Sequence, residues 1–336
     1  MKKQRTLKNS FSLEGKGLHS GLKTTISFNP APDNYGYKIK RTDIMGQPII
    51  NALAENVIDS QRGTTLYENG ASAGSVEHAL AALYASEIDN CLIEINGPEF
   101  PALDGSSILY LSKIKEIGTE EQNAPRKYVS LKRKRIRIVD KENDSSMVLM
   151  PGNSFDIKTK ITFDSPLLKS QSASLGNLSD FTKEIASART FAFIKEIEPM
   201  IRENLIKGGN LDNSIIIYDT ILPQSELDRI ADLIGVKHRD ARKLGYIMNK
   251  PLAYSNELAR HKLLDVIGDL ALVGAFIKGS VTAIRPGHLI NNQFAMAIRE
   301  YYITEIESKE KKSIKTEDMP FELSAIRDDI FCWNRL

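Results

Sequence analysis

The sequence contains few cysteines. Its 336 residues include two, Cys91 and Cys332, which lie far apart and outside any C-x-x-C spacing. This scarcity excludes a disulfide framework and a zinc site built from thiolates. Any zinc bound by this chain must therefore be held by histidine and carboxylate ligands.

Long hydrophobic runs and an excess of one charge are also missing. The most apolar stretch, residues 263–277, is interrupted by Asp265 and Asp269, so we expect no membrane-spanning segment. Lysine and arginine number 45 against 43 acidic residues, which gives no argument for nucleic acid as a partner. No apolar segment follows the basic start of the chain, so we predict no signal peptide and a cytoplasmic protein.

The remaining composition is that of a folded protein, with 41% hydrophobic and 26% charged residues. Hydrophobic periodicity and turn residues predict the secondary structure. Strands are expected at 22–28, 36–40, 91–95, 128–139, 146–150, 154–163, 214–218 and 280–284. Helices are expected at 75–85, 107–117, 178–190, 191–205, 256–274 and 291–305, and charged helix and loop at 225–244.

The order of these elements indicates two domains. The polar segment 120–127 is the candidate linker, which gives a first domain at 1–126 and a second at 127–305. Residues 306–336 begin with a charged stretch that we expect to be flexible. Both halves run strands, then helix, strand and helix, which is a weak internal duplication. Two α+β domains with facing helix layers would bring His78 and His261 together.

The most informative motif is HKLLDVIGD, which starts at His261. His261, Asp265 and Asp269 are four residues apart and form one polar stripe on a helix that is otherwise apolar nearly all round. Burying these groups costs free energy unless they are paired or bind a metal. His261 and Asp265 suit zinc, although a hydrogen-bonded His–Asp pair is the commoner arrangement and stays open.

His78 is the best third ligand, because a solitary histidine in an apolar helix needs a partner. The adjacent Glu77 is placed to take a proton from an attacking water. Compensation of the helix dipole would also justify an acid there.

Three other histidines are less clear from the residues alone. His288 lies in a loop where Asp269 could hold its ring and raise its pKa, but a structural role is as reasonable. His19, among glycines, does not match a dinucleotide fingerprint, and His238 lies on a charged face. The hydroxyl of Thr190 could cap a helix or face the site.

Several motifs together resemble one family. In order, they are QRTLKNSFSLEGKGLHSG, SVEHALAAL, IDNCLIEINGPEFPALDGS, SARTFAF, KGGNLDN, RHKLLDVIGDLAL and RPGHLINN. They closely resemble the UDP-3-O-acyl-N-acetylglucosamine deacetylases, zinc enzymes of bacterial lipid A biosynthesis, over residues 1 to 304. Some members of that family carry a fused 3-hydroxyacyl-dehydratase domain, for which the residues after Thr304 are too few, so that the last residues are either a remnant or the stub of a longer chain.

The resemblance implies a role for each matching residue. Zn²⁺ would be held by His78, His261 and Asp265, and Glu77 would be the catalytic glutamate. His288, supported by Asp269, would be the second catalytic group, and Thr190 would steady the tetrahedral intermediate. The implied substrate-binding residues are Lys262, Phe191, Phe193 and Phe163.

The resemblance also implies a fold and a reaction. Each domain would be a small β-sheet with two helices, and the helix layers would be sandwiched between the sheets. An insert at about 193–218 would form an acyl-chain tunnel. The partner would be an acylated UDP-amino-sugar, and we expect a monomer. Another zinc amidohydrolase and a noncatalytic protein with structural zinc are the alternatives.

Overall fold

The computed structural model describes residues 2–202 and 207–317. In the first half the strands are β1 Lys3–Leu7, β2 Phe11–Lys16, β3 Lys23–Pro30, β4 Tyr37–Arg41, β5 Ile49–Asn51, β6 Val57–Asp59, β7 Thr65–Glu68, β8 Ala71–Ala73, β9 Cys91–Ile95 and β10 Thr119–Pro125. The helices of this half are α1 Glu77–Ala85 and α2 Ile108–Ile117, with a 3₁₀ turn at Ala54–Asn56.

The second half repeats this content and adds to it. Its strands are β11 Tyr128–Ser130, β12 Ile136–Asp140, β13 Ser145–Pro151, β14 Phe155–Ile161, β15 Gln171–Leu175, β16 Phe191–Phe193, β17 Ile215–Tyr218, β18 Gly245–Ile247 and β19 Phe276–Ile284. Its helices are α3 Phe181–Glu184, α4 Ile194–Arg202, α5 Gln224–Ile234, α6 Glu257–Leu270 and α7 His288–Glu317, with 3₁₀ turns at Leu178–Asp180 and Ala271–Val273.

The two main sheets have the same topology. Their strand orders are β2-β3-β9-β4-β5 and β12-β13-β19-β14-β15, and β11 also pairs with β19. In each sheet the central strand, β9 or β19, pairs antiparallel with one neighbour and parallel with the other. A buried helix, α1 or α6, precedes that central strand, and α2 or α7 follows it. The duplication predicted from element order is therefore present in the topology.

Helices α1 and α6 pack against each other in the middle of the molecule. One continuous apolar core includes residues of both sheets and of both helices, such as Ile93, Leu80, Leu264 and Val281. In α6 every residue except Arg260 and Lys262 is buried. The predicted α+β class, with helix layers between two sheets, is thus confirmed.

Helices α1 and α6 approach each other closely at Gly268. A Cβ atom placed there would lie 2.1 Å from the carbonyl oxygen of Glu77 and 2.7 Å from its carbonyl carbon. These are backbone atoms of α1 that cannot rotate away. Glycine at this position therefore lets Glu77 and His78 come close to the polar stripe of α6.

We predict that Gly268→Ala destabilises the protein by about 1–3 kcal/mol or more, because the added methyl group overpacks the helix contact. A lower denaturant midpoint with an unchanged m-value would show this. Gly176→Ala is the matched control, since a Cβ there meets no described atom within 4 Å. Equal midpoints for the two variants would refute the close-contact explanation.

The segment predicted as a linker is a strand. Residues Thr119–Pro125 form β10, which pairs antiparallel with β1. The side chain of the next residue, Arg126, is buried, and its guanidinium group lies 2.7 Å from Asp89 and 4.3 Å from the centre of the Phe276 ring. The two halves are thus joined by an ordered segment, and the boundary at 126 stays a prediction.

The prediction of a helix at 178–190 is wrong for the residues after Glu184, where α3 ends. Backbone groups between Ala186 and Thr190 form hydrogen bonds with a distant segment of the chain. The Ser107 amide donates to the Ala186 carbonyl, and the Thr190 amide donates to the Gly105 carbonyl. The guanidinium of Arg189 binds the buried carboxylate of Glu257 at 2.8 Å. These tertiary bonds replace the i→i−4 bonds of a helix.

Other predicted elements have different bounds, among them the helix expected at 291–305, which begins at His288, a residue expected to lie in a loop. The strand expected at 128–139 is divided into β11 and β12, and the helix expected at 191–205 begins as a strand, β16, that pairs parallel with β17. The tail expected to be flexible from residue 306 instead continues α7 through Glu317. Its glutamates and lysines are good helix formers, which explains this. Residues 318–336 lie outside the described residues.

The segment predicted as an insert, 193–218, belongs to a larger unit. β16, β17 and β18 form a small sheet, on which α4 and α5 pack around a separate apolar core that includes Ile197, Ile216 and Ile230. We call residues 191–247 the insert unit. In the part of the chain that the structure describes, no helix is long and apolar enough to cross a membrane.

Candidate metal centre and active site

Three helices bring the predicted site residues together. Glu77 and His78 open α1, His261, Asp265 and Asp269 lie along α6, and His288 opens α7. The close packing at Gly268 places the start of α1 beside the polar stripe of α6. The juxtaposition of His78 and His261 expected from the duplicated order is therefore present, with their ring centres 5.1 Å apart.

His78, His261 and Asp265 form a cluster that could hold a metal. One ligand atom from each residue can be chosen so that all lie within 4.8 Å of one another. Nε2 of His78 lies 3.6 Å from Oδ1 of Asp265, and Nε2 of His261 lies 3.4 Å from the same oxygen. Two imidazole nitrogens and a carboxylate oxygen are ligands that zinc accepts.

The Oδ1 atom of Asp265 supports a cation at this point. It is buried and has no hydrogen-bond partner among the described residues. Its other oxygen, Oδ2, accepts from the Lys262 ammonium at 3.0 Å. A buried carboxylate oxygen without a partner is costly, and a cation between the two imidazoles would satisfy it. The donor set therefore fits Zn²⁺.

The ring of His261 is oriented for ligation. Its Nδ1 lies 3.0 Å from the carbonyl oxygen of Ala188, so Nδ1–H donates there and Nε2 is left with its lone pair facing the cluster. Metal-binding histidines commonly have such a second bond, which fixes the tautomer. Burial lowers the pKa of His261 to about 3, so the ring is neutral, as a ligand must be.

Charge within the cluster is balanced by neighbouring groups. Burial would raise the pKa of Asp265, but His261, Lys262 and His288 together hold it well below its usual value. Burial alone would lower the pKa of His78, yet the carboxylates of Asp265 and Glu77 raise it overall. Asp265 is thus an anion able to bind a cation, and a metal would displace a proton from His78.

Glu77 lies beside the cluster of His78, His261 and Asp265, and one of its carboxylate oxygens accepts a hydrogen bond. Its side chain is 5% exposed, and Oε2 accepts a hydrogen bond from the Thr64 backbone at 3.0 Å. It shares a cavity with His78, His261 and Asp265. A carboxylate fixed by one oxygen and facing a cavity can accept a proton from a molecule bound there.

His288 and Asp269 form a supported pair, as expected. Nδ1 of His288 lies 3.0 Å from Oδ2 of Asp269, which also accepts from Asn291 at 2.9 Å. The hydroxyl of Thr64 donates to the other oxygen of Asp269 at 2.5 Å. Asp269 is therefore fully paired and serves to hold the His288 ring.

The charge of His288 follows from its surroundings. Burial by itself lowers its pKa, but the charges of Asp269 and Asp265 outweigh burial and raise the pKa to about 9. Below that pH the ring is protonated, with Nδ1–H donated to Asp269. His288 lines the shared cavity, and its Nε2, 3.8 Å from Oδ2 of Asp265, has no hydrogen bond within 3.5 Å among the described residues and can donate one to a bound molecule.

A cavity of about 790 Å³ runs between the two halves past these residues. Phe163, Phe191 and Phe193 form one aromatic cluster on its wall, with ring centres 5.0 to 6.4 Å apart. The ammonium of Lys262 lies 5.5 Å from the centre of the Phe191 ring. The predicted substrate-binding residues therefore lie together beside the cluster.

Thr190 lies on the cavity wall, between the irregular segment that follows α3 and the start of β16. No helix among the described residues ends there, which removes the capping alternative. Its backbone is bonded to Gly105 on one side and to Ile215 on the other. These bonds fix the backbone of Thr190 at the cavity wall.

Some residues of the site were missed from the sequence. Thr64 binds both Glu77 and Asp269, but a single buried threonine has no periodic signal. His19, given little weight, lines the cavity, and its two buried ring nitrogens have no partner among the described residues. The carboxylate of Glu99 holds the backbone of His19 and Ser20 at 2.9 and 2.8 Å. His238 lies on the surface, as expected.

Comparison with known proteins gives one family. A family model described as "LpxC: UDP-3-O-acyl N-acetylglycosamine deacetylase" matches residues 4–239 and 241–300. A "Bifunctional enzyme LpxC/FabZ" from Bacteroides thetaiotaomicron is 53% identical over 300 residues, which cover 89% of this chain and 65% of that protein. A "UDP-3-O-acyl-N-acetylglucosamine deacetylase" from Myxococcus xanthus is 36% identical over 296 residues, which cover 88% of this chain and 86% of that protein. The matched region thus spans less than two thirds of the length of the bifunctional relative.

Proposed function

Since this chain belongs to the family of UDP-3-O-acyl N-acetylglycosamine deacetylases, we propose that it hydrolyses the 2-acetamido group of UDP-3-O-(3-hydroxyacyl)-N-acetylglucosamine in lipid A biosynthesis. The products are acetate and a free amino sugar. The observation that carries this proposal is the unpartnered oxygen of Asp265 between His78 and His261, beside Glu77 and His288. A noncatalytic protein with structural zinc would not need Glu77 and His288 beside the metal ligands.

His78, His261 and Asp265 would hold Zn²⁺, which when bound supplies Lewis acidity toward water and the amide carbonyl. Three protein ligands leave a coordination position open, as in catalytic sites. A purely structural zinc is normally closed by four protein ligands. The cluster here faces a cavity large enough for a substrate, which favours catalysis over a structural role.

Glu77 acts as the general base. Its carboxylate takes a proton from the attacking water, whose oxygen forms a bond to the carbonyl carbon of the acetamido group. The Thr64 amide holds Oε2 of Glu77 and so keeps the carboxylate pointed at the cavity. The C–N bond then breaks, the acetyl group leaves as acetate, and the nitrogen gains a proton to become the free amine.

Thr190 and protonated His288 stabilise the negative oxygen that develops on the acetyl carbon. Donors that are already in place cost no reorganisation in the transition state. Asp269 keeps the His288 ring charged and oriented through the 3.0 Å contact to Nδ1. His288 and protonated Glu77 are the two groups placed to give the leaving amine its proton.

The rest of the cavity suits the other parts of the substrate. Lys262 offers a cation to the phosphate or the sugar, and Phe163 offers a ring face to the uracil base. Phe191 and Phe193 border the sugar and the entry to an apolar passage lined by Ile197 and Ile216 of the insert unit. A 3-O-acyl chain would lie in that passage.

We predict that UDP-N-acetylglucosamine, which lacks the 3-O-acyl chain, is deacetylated with a kcat/KM several orders of magnitude lower than the acylated compound. Each methylene buried on binding contributes at most about 0.8 kcal/mol, so a long chain has a large effect. Acetate release from both substrates measures the ratio. Equal values would refute the passage and favour an amidohydrolase that acts on another acyl sugar.

The pH profile tests the role of His288. Its pKa is raised to about 9, so the protonated form is present at neutral pH and is lost as the pH rises through that value. A nearby cation would repel the charged ring and bring this pKa down. We therefore expect a bell-shaped profile of kcat/KM whose basic limb lies at or below about pH 9.

Two variants assign that basic limb. His288→Gln should remove or displace it, and Asp269→Asn should move it to lower pH, because the charged ring loses its counter-ion. An unshifted limb in both variants would mean that a different group titrates there. His288 would then be a binding residue and not an acid.

A further inference from the structure

We infer that the end of α5 forms the far wall of the acyl passage and that Leu233 and Ile234 set the length of acyl chain this protein accepts. This inference rests on the proposed function. It extends the passage beyond the predicted insert, residues 193–218, to a helix that sequence reasoning described only as charged. It assigns specificity to two residues outside the catalytic cluster.

The cavity itself connects α5 with the reacting groups. The same cavity is lined by His261 and Thr190, by Phe193 and Ile197, and by Leu233 and Ile234 of α5. The insert unit thus contributes apolar side chains to it, beside the charged Lys195 and Glu196. A molecule with a polar head at the candidate metal ligands could place a hydrocarbon tail against those apolar side chains.

Leu233 and Ile234 are the last two residues of α5. Leu227, Ile230 and Ala231 of the same helix are buried in the insert core, and Ile234, one turn after Ile230, packs partly against that core. Leu233 is 54% exposed, which is unusual for a large apolar side chain on the wall of a cavity. An acyl chain in the passage would cover it.

The wall is fixed in place. Gly235 ends α5 in the left-handed region with φ of 70°, so the chain turns away directly after the two lining residues. The side chain of Gln224 accepts from the Ala241 backbone at 2.9 Å, and the buried Tyr218 hydroxyl donates to the Ala241 carbonyl at 2.8 Å. A rigid wall limits chain length, whereas a mobile one would adapt to each chain.

The buried residues of α5 belong to the insert core, whereas α1 and α6 belong to the core of the two main sheets, which also includes Phe193 and Ile217 of the insert unit. Substitutions at the end of α5 therefore leave the packing of α1 against α6 in place. A wall residue should change the preference among chain lengths. A residue with only a structural role would lower the activity on all of them together.

The test compares UDP-3-O-(3-hydroxyacyl)-N-acetylglucosamines with 3-hydroxydecanoyl, 3-hydroxytetradecanoyl and 3-hydroxyhexadecanoyl chains. We expect Leu233→Trp and Ile234→Trp to lower the ratio of kcat/KM for the longest chain to that for the shortest by at least about tenfold. The reason is that each methylene denied its buried site costs about fourfold. Leu233→Ala should change the ratio in the opposite direction.

Ile221→Trp is the matched control, because Ile221 is an exposed apolar residue of the same unit, 63% exposed, that does not line the cavity. It should keep the wild-type ratio. Melting temperatures confirm folding, and if the tryptophan variants do not fold, Leu233→Ala decides alone.

The outcomes are distinct. If the Leu233 and Ile234 variants keep the wild-type ratio of kcat/KM between the longest and the shortest chain, the inference is overturned. The proposed function still stands in that case, provided that the wild type releases acetate. A wild type that releases acetate from none of the three compounds would overturn the proposed function and the inference with it.

Discussion

Replacing His78 with alanine should remove the bound metal and the deacetylase activity together. The variant loses one of three ligand atoms, and Oδ1 of Asp265 loses one of the two imidazoles beside it. Loss of a group that merely supports a metal ligand costs about 10- to 100-fold in affinity, and loss of a ligand should cost more. We expect the purified wild type to hold one zinc per chain and His78→Ala to hold almost none.

Elemental analysis of metal per chain, measured beside acetate release, tests this result. His238→Ala is the control, because that histidine lies on the surface and pairs with Asp232 at 2.7 Å. It should keep both the metal and the activity. Zinc bound to His78→Ala with wild-type affinity would show that the metal is held by other residues.

Glu77→Gln should keep the metal and lose most turnover. Removing a general base lowers the rate by about 10²- to 10⁴-fold, and glutamine preserves the shape of the side chain. The hydrogen bond from the Thr64 amide can still be accepted by the glutamine oxygen, so the start of α1 should be retained. The effect should appear in kcat more than in metal content.

Glu116→Gln is a useful comparison, since Glu116 lies on the exposed surface of α2. It should behave as wild type. If Glu77→Gln also stays within a few-fold of wild type but melts at a lower temperature, Glu77 serves the helix dipole and not the reaction.

Two of the three candidate metal ligands could be predicted because they follow helix geometry. His261 and Asp265 are four residues apart, which places them on one face whatever the rest of the fold. The third ligand, His78, depends on tertiary structure. It became predictable through the repeated element order, and the matching strand orders of the two sheets are the physical basis of that repeat.

Other features could not be read from the sequence because long-range bonds decide them. Residues 185–190 have helical spacing, yet their backbone bonds to distant residues prevent the helix. Thr64 reaches Glu77 and Asp269 through bonds of 3.0 and 2.5 Å, and no local pattern indicates this. The polar segment before Arg126 resembles a linker but has a strand partner in β1.

The measurement closest to the central claim is acetate release from UDP-3-O-(3-hydroxyacyl)-N-acetylglucosamine before and after the metal is chelated, followed by titration with Zn²⁺. The account predicts that chelation abolishes release and that activity returns in proportion to added zinc, reaching its maximum at one ion per chain. Release that is unaffected by complete metal removal, or no release from the fully loaded protein, would contradict it.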